Sequence, residues 1–427
     1  MPAPTTHGLW ETSAPPAPAT QVLDGEGRAD VCIIGGGYTG ISAALHLAQK
    51  GIQVLVLEAK TIGFGGAGRN VGLVNAGMWV MPDELPNVLG EVHGDRLLRM
   101  LGDAPALVFE LVKTHGIDCQ LETNGTLHCG VGQTGLDELK AREEQWQKRG
   151  AAVRLLQGDE AASMIGSKAY AGAPARHARR HHPAAGLCAR SGPGLHLQPA
   201  QQFAQTPQQN RSKRSATAGA SPPRAGKVTA DWVIMATDRL CAGSVGNHPP
   251  RTGPPALFNF ATEPLPDNVR ATILPEKQGA WDTREVLSSF RMDAAGRLVF
   301  GSVGALKGAG EAIHRGWALR ALRKIFPQIG DVRFEAEWYG QIGMTDDNLP
   351  RFHKFAEHVI GISGYNGRGI APGTVMGRTL AELISGETRE EDLPLPVTTP
   401  RDARLRVFKE AFYEVGAQAV HLTDARF

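Results

Sequence analysis

Two rhythms of hydrophobic and polar residues divide this chain. From Ala29 it reads ADVCIIGGGYTGISAALHLAQKGIQVLVLEAK: a short apolar run, a cluster of glycines, apolar residues at helical spacing, and a second apolar run. That pattern predicts a strand, a tight turn, an amphipathic helix and a parallel second strand. Further along, FNFATEPLP, WDTREVLSSFRMDAAGRLVFGSVG and RFEAEWYGQIGMTDDNLPRF alternate apolar and polar residues between turns, which predicts antiparallel strands. Strand, glycine turn and helix return in HVIGISGYNGRGIAPGTVMGRTLAELISG, from His358 to Gly386.

The first unit carries candidate chemistry. Gly35 permits the tight turn, Gly37 lets backbone approach a pyrophosphate, and Gly40 lets the helix pack closely on the strand. Phosphates then face the amides at the helix N-terminus, beside Tyr38 and Thr39. Ala43, Ala44, Leu47 and Gly51 continue the packing of helix on sheet, and the strand built from Val54, Val56 and Leu57 ends at Glu58. The Glu58 carboxylate is placed to accept hydrogen bonds from both ribose hydroxyls and to repel a 2′-phosphate, which disfavours NADP. The glycine motif alone leaves FAD and NAD both open.

Composition bounds the rest. A chain of 427 residues with 42% hydrophobic content is long enough for two domains with separate cores. Its 45 basic and 43 acidic side chains are too balanced to imply a nucleic-acid partner. Cys32, Cys119, Cys129, Cys188 and Cys241 form no metal-ligand spacing and no disulfide framework, so no metal is expected. The first 27 residues lack the basic start and apolar run of a signal peptide, and no stretch has the roughly 18 apolar residues of a membrane span. A cytoplasmic location is the expectation.

After Glu58 comes GFGGAGRNVGLVNAG, from Gly63 to Gly77, too dense in glycine for helix or strand. Here the chain resembles the DAO family of flavoproteins, in which a G-x-G-A-S-G-R-N-G-G segment follows the first strand–helix–strand unit. Gly65, Gly66, Ala67, Gly68, Arg69, Asn70 and Gly72 fall on that segment, with Val71 in place of glycine. The resemblance implies non-covalent FAD, and it makes Gly364, Asn366, Gly367, Arg368, Gly369 and Ile370 flavin-contacting candidates. In the family the helix that follows this turn directs its N-terminus toward the pyrimidine carbonyl, where its dipole stabilises negative charge on the reduced ring. VTADWVIMATD, Val228 to Asp238, resembles the family strand near the adenosine half. The implied fold class is α/β: a Rossmann-like FAD-binding domain with a second, mainly antiparallel β-sheet substrate domain.

The domain division this implies is an N-terminal extension over 1–27 and an FAD-binding domain in three parts, 28–84, 151–255 and 346–427, the last with a C-terminal tail. The substrate domain takes 85–150 and 256–345. The implied reaction is oxidation of the C–N bond of an amine or amino acid by hydride transfer to flavin N5, with oxygen or a respiratory acceptor taking the electrons. Such chemistry rests on positioning and electrostatics, so no catalytic base is nominated. Many family members that act on amino acids carry an arginine after W-x-G; here the run is Trp338, Tyr339, Gly340, Gln341, Ile342, without one. Arg284, Arg291 and Arg368 are the remaining candidates to bind a substrate carboxylate. GRNVGLVNAG, NGTLH, WDTREVLSS, GYNGRG and the terminal AFYEVGA bring the chain closer to L-pipecolate oxidases and γ-glutamylputrescine oxidases. An inactive flavin-binding remnant is the alternative of another class.

One segment departs from the pattern. Residues 174–226 hold Arg176, Arg179, Arg180, Arg190, Arg211, Lys213, Arg214 and Arg224, four histidines and no acidic residue, so the rest of the chain is net acidic. Three readings stay open: a basic arm for nucleic acid, an insertion with no fold of its own, and a stretch read in a shifted frame, with 239–255 as a second lapse of the same kind. Only Phe203 offers an aromatic ring for base stacking, which speaks against the first, so no nucleic acid is expected as a partner.

Overall fold

A computed structural model describes residues 7–176, 202–205, 226–238, 256–400 and 406–423. Two eight-stranded sheets organise them. The first runs in the order Gln21–Val22, Gln202–Gln205, Val54–Glu58, Glu26–Ile34, Lys227–Met235, Val359–Ser363, Arg351–Ala356, Val397–Thr398. Every neighbouring pair is parallel except Arg351–Ala356 with Val359–Ser363. The helices Tyr38–Gln49 and Ile370–Ile384 pack on each other, and so closely that a Cβ on Gly377 would lie 2.5 Å from the Thr39 carbonyl oxygen. The Ser42 hydroxyl seals that contact by donating to the Thr374 carbonyl at 2.6 Å. Val31, Ile33, Ala43, Leu47, Val56, Ile234 and Ile362 fill the core between helices and sheet.

The second sheet runs Phe334–Gln341, Ala256–Thr262, Leu298–Val303, Ser288–Met292, Gly279–Asp282, Thr126–Cys129, Gly172–Arg176, Val153–Gln157. It is antiparallel apart from Gly279–Asp282 with Thr126–Cys129. One face, with Phe258, Phe260, Phe290 and Phe300, is buried with Trp317, Leu322 and Ile325 of the helix Ala309–Ile325. Because side chains alternate along a strand, Asn259, Ala261, Arg291, Val299 and Trp281 share the opposite face. That face meets the glycine-rich loop that follows Glu58.

The sheets divide at other places than the expected boundaries. Val153–Gln157 and Gly172–Arg176 join the second sheet, where Leu156 and Ala173 are fully buried in its core, so the second domain does not end at 150. Conversely, the helix Glu91–Thr114 packs on Ile370–Ile384 and puts Leu97, Leu101 and Val108 into the first core. The segment 174–226 contributes the end of Gly172–Arg176 to one sheet and Gln202–Gln205 to the other, so part of it does pair. Residues 177–201 and 206–225 and the stretch 239–255 lie outside the described residues, and with them the shifted-frame and basic-arm readings. No helix among the described residues is long and apolar enough to cross a membrane.

The helix Arg406–Thr423 packs on Ala309–Ile325 rather than on the first sheet. Its His421 is fully buried, stacked on Trp317 at 3.9 Å, with its Nδ1 2.7 Å from Nδ1 of His314. Two facing ring nitrogens share a single proton, one donating and one accepting, so protonating both breaks the contact. Burial pushes the His314 pKa down from 6.5 to about 4. A depressed folded-state value means that the unfolded chain takes up the proton first as pH falls, so the stabilisation is complete above 6.5 and is lost on the way down to 4. The thermal midpoint should therefore fall across that window, and less so in His314→Gln; equal slopes in both proteins would remove the pair as the cause.

Candidate functional site

The glycine turn between the first strand and helix is built for close approach. Gly35 has φ 114°, and a Cβ there would lie 2.7 Å from the Ala236 carbonyl oxygen. At Gly40 a Cβ would lie 2.0 Å from the Gly35 carbonyl oxygen, so strand and helix touch backbone to backbone. Gly37, which caps the helix Tyr38–Gln49, is different: a Cβ would meet only the Ala67 Cβ, at 3.7 Å. The protein's own packing explains glycine at 35 and 40 but not at 37, where the open backbone would admit a phosphate. The Glu58 carboxylate stands at the strand end, accepting the Gly36 amide at 2.9 Å and the Lys60 amide at 3.0 Å.

The Thr237 hydroxyl and the Asn75 Oδ1 are buried without a hydrogen-bond partner among the described residues. Thr237 lies just past the strand Lys227–Met235, its amide nitrogen 3.2 Å from where a Cβ on Gly35 would sit, and Asn75 lies in the glycine-rich loop. Unsatisfied buried polar groups cost about 1–3 kcal/mol each, so both fit a site whose polar ligand completes them.

In the glycine-rich loop, Gly66–Gly68 form one 3-10 turn that includes Ala67. Asn70 ties the loop together: its Nδ2 donates to the Ala67 carbonyl at 2.7 Å, and its Oδ1 accepts the Gly72 amide at 2.8 Å. Arg69 is buried, with its guanidinium 4.3 Å from the Phe64 ring centroid. Burial lowers its pKa to about 10, and it stays charged at neutral pH. Its carbonyl accepts Asn259 Nδ2 at 3.0 Å and Trp338 Nε1 at 3.1 Å, which fixes the loop to the second sheet.

The turn 364–369 closes the site. Gly364, Asn366 and Gly367 all have positive φ, of 84°, 54° and 80°. Asn366 holds the turn by donating from Nδ2 to the Gly364 carbonyl at 2.6 Å and by accepting the Thr345 amide at 2.8 Å on Oδ1. Gly369 caps the helix that starts at the buried Ile370, so the positive end of a fifteen-residue helix faces this turn. Tyr365, whose phenol is kept neutral by burial, bonds Thr39 at 2.7 Å and joins the turn to the first helix.

The three arginine candidates separate. Arg284 is exposed, and Arg291 is buried on the second sheet against the Trp10 ring, 5.2 Å from its centroid. Arg368 lies between two aromatic rings, 4.2 Å from the Trp79 centroid and 5.5 Å from that of Trp281. It lines a cavity with Ala76, Thr126, His128 and Trp281, and His128 stacks on Trp281 at 4.9 Å.

Sequence reasoning missed several of these residues. Asp238 is one: it accepts the Gly343 amide at 2.9 Å and the Gly364 amide at 2.8 Å, clipping two turns together. An acid closing a strand in front of glycine turns was the available signal. His128 and Trp281 stand in the NGTLH and WDTREVLSS stretches without a role being assigned to either, and Trp79 gave no signal, because their meeting depends on how the second sheet faces the loop.

The family model described as DAO, FAD dependent oxidoreductase, matches residues 30–383. The chain belongs to the DAO family. Its DAO-family relatives include a gamma-glutamylputrescine oxidoreductase of Escherichia coli, 30% identical over 380 residues and covering 85% of each chain. A probable oxidoreductase of Rhizobium meliloti is 30% identical over 397 residues, covering 91% of this chain and 90% of its own. Among solved structures, glycine oxidase from Geobacillus kaustophilus superposes with a TM-score of 0.62 at 19% identity, over 85% of this chain and 96% of that one. L-proline dehydrogenase from P. horikoshii gives 0.61 at 16% identity, over 88% and 98%. As a DAO-family member the chain is an FAD-dependent amine or amino-acid oxidoreductase. Gly37, Glu58 and the Gly63–Gly77 loop fit its cofactor.

Proposed function

We propose that this enzyme oxidises a C–N bond in an amine that bears a carboxylate, such as a cyclic amino acid of the L-pipecolate kind, and that Arg368 anchors the carboxylate. The observation that carries this reading is the position of Arg368, lining an aromatic cavity between the flavin-type turn and the second sheet. Ile342 stands where many relatives have their arginine, and its Cδ1 would be 3.3 Å from a Cβ on Gly367. An apolar side chain there leaves the neighbouring turn to supply the positive charge.

When bound, FAD supplies the two-electron acceptor for the hydrogen on the carbon next to nitrogen. The chain's own share is orientation. Arg368 holds the acid end in a fixed fork, with the Trp281 and His128 rings lining the cavity beside it. The helix starting at Ile370 favours negative charge on what lies at its N-terminus. The 30% identity to a gamma-glutamylputrescine oxidoreductase favours a second reading, oxidation of a γ-glutamylated diamine.

Arg368→Leu tests the anchor. Loss of a charge-assisted pair of about 1.5–3 kcal/mol should raise KM for carboxylated substrates roughly 10- to 100-fold, with a much smaller change for amines lacking the carboxylate. An equal loss on both kinds of substrate would assign Arg368 to the cofactor instead.

A further inference from the structure

Residues 7–13 pack against the body of the protein. Trp10 is 1% exposed although it sits in a single helical turn, Leu9–Ser13. Its ring meets Trp338 edge-on at 5.4 Å, and its Nε1 donates to the Asn70 carbonyl at 2.9 Å. Gly8 lets the segment reach this position: a Cβ there would lie 2.3 Å from the Trp338 ring, and its φ of 58° suits glycine. His7 packs edge-on against Phe64 at 5.7 Å, and Phe64 is the ring beneath the Arg69 guanidinium. The segment therefore grips the glycine-rich loop at two points, Phe64 and Asn70.

That grip has a directional consequence. In a trans peptide the carbonyl and the following amide point opposite ways. The Arg69 carbonyl is drawn toward the second sheet by Asn259 and Trp338, and the Asn70 carbonyl is drawn toward Trp10. The orientation of two successive peptide groups in the flavin-type loop is thus set from outside the loop. A segment this rich in glycine loses more backbone entropy on ordering than most and has few side chains with which to order itself.

We propose that Trp10 is a positioning residue of the flavin site, its indole N–H fixing the Asn70–Val71 peptide from the N-terminal segment. The N-terminus then belongs to the cofactor site, although it lies outside the region that the family model matches. The inference concerns cofactor binding and is independent of which amine is oxidised.

Trp10→Phe is the deciding variant, because it keeps an aromatic ring against Trp338 and removes the donor. Deflavinated protein would be titrated with FAD by flavin fluorescence, and the visible spectrum recorded at saturation. Releasing the Asn70–Val71 peptide from this part-buried contact should weaken FAD binding about tenfold. The saturated spectrum should also differ from that of the parent, with the thermal midpoint of the FAD-free protein within about 2 °C of its value. An unchanged FAD dissociation constant overturns the proposal. So does a fall in both stability and FAD binding with an unchanged saturated spectrum, which would make Trp10 an ordinary core residue. Trp10→Ala, which also removes the packing, should lose both stability and FAD binding.

Discussion

Gly37→Val should yield a protein that folds and is purified colourless. The added Cβ meets only the Ala67 Cβ at 3.7 Å, an ordinary van der Waals distance, and Gly37 has φ −86°, which any residue adopts. Nothing in the protein itself objects to a Cβ at this position. The cofactor does, because the branched valine occupies the space through which a pyrophosphate reaches the amides of the Tyr38–Gln49 helix. Retained FAD after gel filtration, in the stoichiometry of the parent, would show that the pyrophosphate does not pass over Gly37.

Gly40→Ala should do the reverse and cost stability whether or not FAD is added. Its Cβ would fall 2.0 Å from the Gly35 carbonyl oxygen and 3.2 Å from Ile33 Cγ2. The oxygen has nowhere to go. Gly35 is held at φ 114°, and its amide donates to the Leu57 carbonyl at 2.8 Å, so the strand and helix must separate instead. Overpacking with backbone displacement should cost about 3 kcal/mol or more, read as a lower urea midpoint of the FAD-free protein. A midpoint equal to the parent's would mean that the helix sits farther from the strand than described. The pair of variants separates cofactor binding from folding within four residues of one motif.

The contrast also shows why the sequence was legible where it was. Glycine spacing, the helix that follows and the acid at Glu58 are local, and each constrains the next few residues, so the first unit could be read without a structure. The turn at 364–369 was legible for the same reason. Long-range assembly was not. Pairing of Val153–Gln157 with Gly172–Arg176 and docking of Arg406–Thr423 on Ala309–Ile325 depend on which faces meet, and short apolar stretches do not declare their partner.

The candidate site divides along the same line. Residues of the cofactor turns lie in motifs, whereas the cavity is assembled from His128, Trp146, Trp281 and Arg368, which are distant in sequence. Three arginines looked equivalent as letters, and their surroundings distinguish them: Arg284 is exposed, Arg291 packs on Trp10, and Arg368 lines the cavity. Trp10 carried no signal at all within a stretch rich in proline and alanine.

The most direct measurement is anaerobic mixing of the FAD-loaded protein with a panel of cyclic amino acids, acyclic amino acids, γ-glutamylated diamines and amines lacking a carboxylate. Bleaching of the visible flavin band by a carboxylated amine, with formation of the matching imine or its hydrolysis product, is the expected result. A fully FAD-loaded protein whose flavin band no amine or amino acid bleaches would contradict amine oxidation as its activity.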